Sequence, residues 1–278
     1  MKYRNVTLIN YANEPYKKAQ HFNTWTGKHV AGIGNAIEYG PEDIDAEFYR
    51  ANHCILNQKR GNGEWLWKPY FILKTLGQLK DGEYVFYCDS GSFFCRDFGY
   101  ILSSMGENSI WISNIPLIEK QWTKPYVFNV LEANDPSITE TNQFQGGFIC
   151  VRKCEKSVTF MNRWLEYCCK PEMIMPITEG EEKGECIAHR EDQSILSVLS
   201  KKCGIQAHKD PTQQGRLPGV YYEKGRLFEV PVHHDNYPVC IVLHRTGNIP
   251  ISVLLKQWLL AWLPLSMIYR ITSIKKIN

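Results

Sequence analysis

One lysine and one aspartate bracket the most informative stretch of this 278-residue chain: Lys68 in "GEWLWKP" and Asp89 in "YCDSG". Lys68 stands before Pro69, which biases it away from helical geometry and puts it at the mouth of a helix reading from Pro69 to Leu79. A cation beside the free N–H groups of a helix start suits a phosphate. Asp89 ends the apolar run "YVFYC", and the Ser90 and Gly91 that follow permit a tight turn and close backbone approach to a ligand. A carboxylate at such a strand end suits Mg²⁺ or Mn²⁺ held against substrate phosphates. The competing readings are a solvated lysine and an aspartate that only shapes a turn. Trp65 and Trp67 suit a site wall or the core equally well.

Further candidates lie downstream. Glu191 and Asp192 open a helix in "AHREDQSILSVL", where first-turn acids also complement the helix dipole. His233, His234 and His244 cluster in "PVHHDNYPVCIVLHRTG", and neutral imidazole accepts Mn²⁺. A packed or solvated histidine is the competing reading for each. Arg245, beside His244, suits a phosphate.

Strand-like and helix-like segments alternate over the first 200 residues, which argues for a mostly parallel sheet flanked by helices. "NVTLINYA" reads as a first strand, "YVFYC" as a strand covered on both faces, and "FQGGFICVR" as a later one. Helices are expected in "PEDIDAEFYRANHCIL", from Pro69 to Leu79, from Glu155 to Cys169, and in "REDQSILSVLSKKCG" up to Gly204. Gly32 and Gly34 form only a lone GxG, a weak nucleotide signal. In parallel sheets ligands sit beyond the carboxyl ends of the strands. A helix returning into a strand places its own start at that same edge. Eleven helical residues span about 16 Å and six strand residues about 20 Å, so Lys68 and Asp89 are expected to meet there.

The stretch from Arg60 to Phe94, "RGNGEWLWKPYFILKTLGQLKDGEYVFYCDSGSFF", resembles the donor-binding core of GT-A-type nucleotide-sugar glycosyltransferases. It is most similar to the bacterial polysaccharide type, with G-x-W-x-W-K-P followed by Y-x-D-(A/S)-G. The resemblance implies a GT-A-like, Rossmann-like sheet in which Lys68 helps bind the sugar nucleotide and Trp65 and Trp67 wall its site. Asp89, Ser90, Gly91 and Arg245 would also bind the donor nucleotide, and Asp89 would hold a divalent metal, Mn or Mg, on the diphosphate. Gly91 departs from the pattern, standing where a second acid of D-x-D belongs; His244 resembles the late histidine that completes the metal site in several such families. Gln145, Gly146 and Gly147 in "NQFQGGFICVRK" resemble a turn facing donor and acceptor, and Glu191 or Asp192 an acid facing the reacting sugars. If the reaction inverts configuration it needs a general base, and Asp192 is the candidate; retention needs none. The function implied is transfer of a sugar from a nucleotide diphosphate, UDP among the candidates, to a glycan or lipid-linked acceptor. The rivals are a nucleotidyltransferase, which should carry a Gly-rich basic N-terminal loop that "LINYANEPY" does not resemble, and a non-enzymatic carbohydrate- or partner-binding protein.

Bulk properties are those of a globular chain, with 44% hydrophobic and 22% charged residues. The net charge of +3 is uneven. From Asn236 onward there are five basic residues and no acid, whereas the rest holds 27 basic and 29 acidic residues, a net of −2. A basic tail points to an anionic surface. Residues 1–248 are read as the catalytic domain and residues 249–278 as an apolar, basic helical segment suited to a membrane surface. Its uninterrupted part, Trp258 to Tyr269, is too short to span a bilayer. Nucleic acid is not the expected partner, because the basic residues are sparse and mixed with aliphatics. The N-terminus lacks a secretory apolar run, so the expected location is cytoplasmic, at or near the inner face of a membrane, with the ten cysteines as free thiols.

Overall fold

The structure, a computed structural model, describes residues 1–248 and 250–276. Strands β1 (Tyr3–Tyr11), β2 (Ile33–Tyr39), β3 (Tyr84–Cys88), β4 (Ser92–Phe94), β5 (Ile110–Ile118), β6 (Asn142–Arg152) and β7 (Ile241–Leu243) form two sheets. The larger has the order β2-β1-β3-β6-β5. β1 pairs in parallel with both β2 and β3, β6 runs antiparallel to β3, and β5 runs antiparallel to β6. Four of its strands therefore share one direction and β6 alone is reversed, which is the mostly parallel α/β sheet expected.

Alternation along the strands decides the layers. In β3, Val85 and Tyr87 face one apolar cluster and Phe86 and Cys88 face another, and all four are buried. The long helices cover both faces: α1 (Lys17–His29), α2 (Ala46–Leu56), α3 (Trp67–Gln78), α4 (Gly99–Met105), α5 (Glu155–Cys168) and α6 (Glu191–Lys202). Phe71 and Ile72 of α3, Trp164 of α5 and Ile195 of α6 complete the first cluster; Ile101 and Met105 of α4 join the second. Each such side chain contributes roughly 1.5–3 kcal/mol by leaving water.

The small sheet fixes the carboxyl edge. β4 pairs antiparallel with β7, carrying the chain after Ile241 back over the end of β3. Two helices follow, α7 (Ile251–Trp262) and α8 (Leu265–Ile271), parted at Pro264. Ala261 packs with Phe93, Val239 and Val242, and Leu260 and Ile268 pack with Leu217. Arg216 donates to the carbonyls of Leu260 (3.2 Å) and Leu263 (2.6 Å), satisfying groups that a helix end leaves free. The outer side of this segment exposes Ile251, Leu255, Trp258, Met267 and Ile271. Among the described residues no helix is long and apolar enough to cross a membrane. Ile249, Ile277 and Asn278, part of the segment read as 249–278, lie outside the described residues.

Candidate active site

A cleft of about 620 Å³ opens at the carboxyl edge of β1 and β3. Tyr11 to Asn13 form one lip and Asp89 to Gly91 another. The backbone N–H of Asp89 donates to the Gly147 carbonyl (2.9 Å), and the Tyr87 hydroxyl donates to Asp89 Oδ1 (2.6 Å). Ser90 Oγ donates to the Tyr11 carbonyl (2.6 Å), tying the ends of β1 and β3 together. From α1, Asn23 Nδ2 donates to the Ser92 carbonyl (3.0 Å) and secures the turn from behind.

Both glycines beside Asp89 are there for space. A Cβ on Gly147 would stand 2.9 Å from Asp89 Oδ2. One on Gly91 would stand 3.1 Å from Cα of Arg245, because the Gly91 carbonyl accepts from the amides of both His244 and Arg245 at 2.8 Å. The chain crosses Gly91 where a second acid of D-x-D would otherwise sit.

Lys68 lies inside the first turn of α3, whereas the sequence reading put it before the helix. Its ammonium meets Asp192 Oδ2 at 2.7 Å, with both side chains about 95% out of solvent. Burial pushes the Asp192 carboxyl up to about 6, and the Lys68 charge opposes that rise. Burial also works against the Lys68 ammonium, but Asp192 and Asp89 outweigh it and hold it above the usual lysine range. Gly146 makes room for this pair: its Cβ would lie 3.2 Å from Lys68 Nζ and 3.3 Å from Asp192 Oδ2. Its N–H donates to Gln193 Oε1 (3.1 Å), so β6 and the start of α6 are registered on the ion pair.

A second pair lies alongside. Arg60 Nε meets Glu191 Oε1 at 2.6 Å, and burial raises the Glu191 carboxyl against that pull. Arg60 also sits over the Trp65 ring. Trp67 is buried, stacks on Tyr11 with centroids 3.8 Å apart, and donates its Nε1 proton to the Gly61 carbonyl (2.9 Å). Trp67 is therefore core and wall at once. Asn62, Trp65, Glu191 and Arg245 all line the cleft with φ between +40° and +57°. Left-handed backbone at such residues costs about 1–3 kcal/mol each and gathers where a site needs a particular shape.

The structure thus brings Lys68, Trp65, Trp67, Asp89, Ser90, Gly91, Gly147, Glu191, Asp192 and Arg245 to one cleft. Gln145 and Gly146 lie on β6 behind it, Gln145 donating to Ser113 Oγ (2.6 Å). His244 is also outside the lining. It is buried near Phe93, its Nδ1 lies 3.0 Å from Thr246 Oγ1, its Nε2 has no partner, and burial pushes the imidazole down to about 4. Among the described residues no three His, Cys, Asp or Glu side chains gather as a ready metal cluster. Among the described residues, Asp89 is the one cleft carboxylate that no Lys or Arg holds in an ion pair. Sequence reasoning missed Tyr11, Asn62, Arg190 and Gln193. The tyrosine hides in an apolar strand, and the arginine and glutamine flank the acids already singled out, the one available signal.

No family model matches the chain, and no curated protein sequence matches it. Among solved structures, the galactosyltransferase LgtC in complex with donor and acceptor sugar analogues aligns over 95% of this chain and 100% of its own, at 13% identity and a TM-score of 0.47. Mouse xyloside xylosyltransferase 1, apo form, aligns over 74% of this chain and 84% of its own, at 9% identity and a TM-score of 0.42. The apo WbbM bifunctional glycosyltransferase aligns over 70% of this chain but only 37% of its own, at 12% identity and a TM-score of 0.42. All three are glycosyltransferases.

Proposed function

We propose that this chain is a glycosyltransferase of GT-A type, moving a sugar from a nucleotide diphosphate donor to a glycan or lipid-linked acceptor. The observation that carries this reading is the single cleft at the carboxyl edge, where unpaired Asp89 and the buried Lys68–Asp192 pair share one lining. Asp89 faces the donor diphosphate. A divalent metal fits there with one protein carboxylate, because Mg²⁺ is commonly held by one or two carboxylates together with substrate phosphates and water. Such a metal supplies charge neutralisation for the leaving diphosphate. Trp65 and the Tyr11–Trp67 stack wall the donor. His244, buried as a neutral imidazole outside the lining, is not assigned to the metal.

Lys68 has a different part from the one its position suggested. Its ammonium is committed to Asp192, so it sets the charge and orientation of that carboxylate. Asp192 then receives the acceptor hydroxyl proton if the reaction inverts, and Glu191, tied to Arg60, shapes the acceptor side with Gln145 to Gly147. The tail is proposed to rest on the inner face of a membrane, its lysines and arginines toward anionic headgroups; the exposure of Trp258, Leu255 and Ile251 supports this reading.

The test is to incubate the protein with a panel of nucleotide sugars and Mn²⁺ and to measure nucleoside diphosphate release. Release with one donor is expected. Pyrophosphate release from sugar phosphate and nucleotide triphosphate would instead mark a nucleotidyltransferase. No release together with no nucleotide-induced rise in melting temperature would leave a binding protein.

A further inference from the structure

Arg190 is a cation without an anion. Its guanidinium carbon lies 4.4 Å from the centroid of the Trp122 ring, and it forms no ion pair among the described residues. Glu191, its chain neighbour, is taken by Arg60. Arg226 approaches the same indole at 5.1 Å and is the only one of the group with a carboxylate, Glu223 at 2.6 Å. Arg245 lines the cleft with Arg190, and its guanidinium donates to the neutral Gln214, at 3.4 Å, whose Oε1 also accepts from the Tyr221 hydroxyl; it forms no ion pair among the described residues. Burial, and then the charges of Arg245 and Arg226, pull the Arg190 guanidinium down to about 10.

Cations withdrawn from water ordinarily have a carboxylate beside them, because an unpaired one forfeits hydration without return. Half-buried Arg190 lacks one, and the exposed Arg245 shares its cleft. Their planar forks match the paired oxygens of a phosphate, and two unpaired charges balance a dianion better than a single carboxylate does. Arg190 directly precedes Glu191 and Asp192, the acids given to the acceptor side in the reading above. We propose that Arg190 and Arg245, backed by Arg226 on Trp122, form an anion subsite that holds a phosphate group carried by the acceptor. This rests on the glycosyl-transfer reading and narrows its acceptor to phosphorylated compounds, either a soluble sugar phosphate or a lipid phosphate brought by the membrane surface.

The full chain is titrated by calorimetry with inorganic phosphate, and separately with a panel of nucleoside diphosphates, as wild type, Arg190→Met, Arg190→Lys and Arg226→Met. Melting temperatures establish that each variant folds, and Arg226→Met keeps the test open if Arg190→Met does not. Phosphate affinity should fall by roughly tenfold or more in Arg190→Met, recover in part in Arg190→Lys, and fall less in Arg226→Met, with nucleoside diphosphate affinity unchanged. Glucose 1-phosphate and a short prenyl phosphate then compete against inorganic phosphate; displacement by either supports the subsite and names the source. Phosphate affinity indifferent to Arg190 and Arg226, or displacement by neither competitor, overturns it. A parallel loss of nucleoside diphosphate affinity also overturns it, by placing the arginines in the donor site. Arg190-dependent phosphate binding with no nucleoside diphosphate bound by the wild type would overturn the glycosyl-transfer reading and the acceptor assignment, leaving an anion site of another purpose.

Discussion

At Asp192 burial and an ion pair pull in opposite directions, and the balance leaves a carboxyl titrating at about 6. A base that must be ionised loses activity as pH falls through that value, so kcat/KM should show an acid limb near pH 6. Lys68→Met removes the charge that favours the carboxylate; the limb should then move to higher pH, as a pH–rate profile will show. A limb that stays put would mean that some other group sets it. Asp192→Asn should lower the rate by about 10²–10⁴ while nucleoside diphosphate affinity holds, in keeping with a lost general base. Gly147→Ala tests crowding: its Cβ would stand 2.9 Å from Asp89 Oδ2, so either the strand or the carboxylate must give. A loss of about 1–3 kcal/mol in denaturant unfolding, or a raised KM for donor, is the expected result.

The helices and strands differ in how openly the chain announces them. β3, α3, α5 and α6 fall within a residue or two of the segments read from the sequence, because apolar periodicity, a first-turn proline and flanking acids all agree there. β2 and β5 were not legible. Gly34, Asn35 and Glu38 break the first, and Asn114 and Pro116 the second, although β5 is buried at all nine positions. Of the site, the acids and Lys68 were visible, but the bond between Lys68 and Asp192 was not, since no local pattern carries a contact across so much chain. The reason for Gly91 was equally hidden, because it lies in Arg245. α7 divides by face in a way that experiment can separate. Leu260→Ala should cost about 2–3 kcal/mol by chemical unfolding, as it opens a cavity against Leu217 and Ile268. Trp258→Ala, on the outer side, should change stability by less than about 0.5 kcal/mol yet weaken binding to vesicles containing anionic lipid.

For the molecule as a whole, two buried imidazoles set an acid limit. Burial pushes His189 down to about 3 and His244 to about 4, against an unfolded value near 6.5. Both folded values are depressed, so the unfolded chain binds more protons once pH falls below about 6.5. Stability is full above that and drains away toward pH 4, at about 2 kcal/mol per histidine between pH 7.5 and pH 5. Urea unfolding at those two pH values should show the loss, and His244→Phe should shrink it. Gly91 couples the turn after Asp89 to the opposite wall of the cleft. An acid placed there would set its Cβ 3.1 Å from the Arg245 backbone, which is itself left-handed and bonded to the Gly91 carbonyl. An acid at Gly91 therefore asks the Arg245 backbone, and with it one wall of the cleft, to give by a few tenths of an ångström.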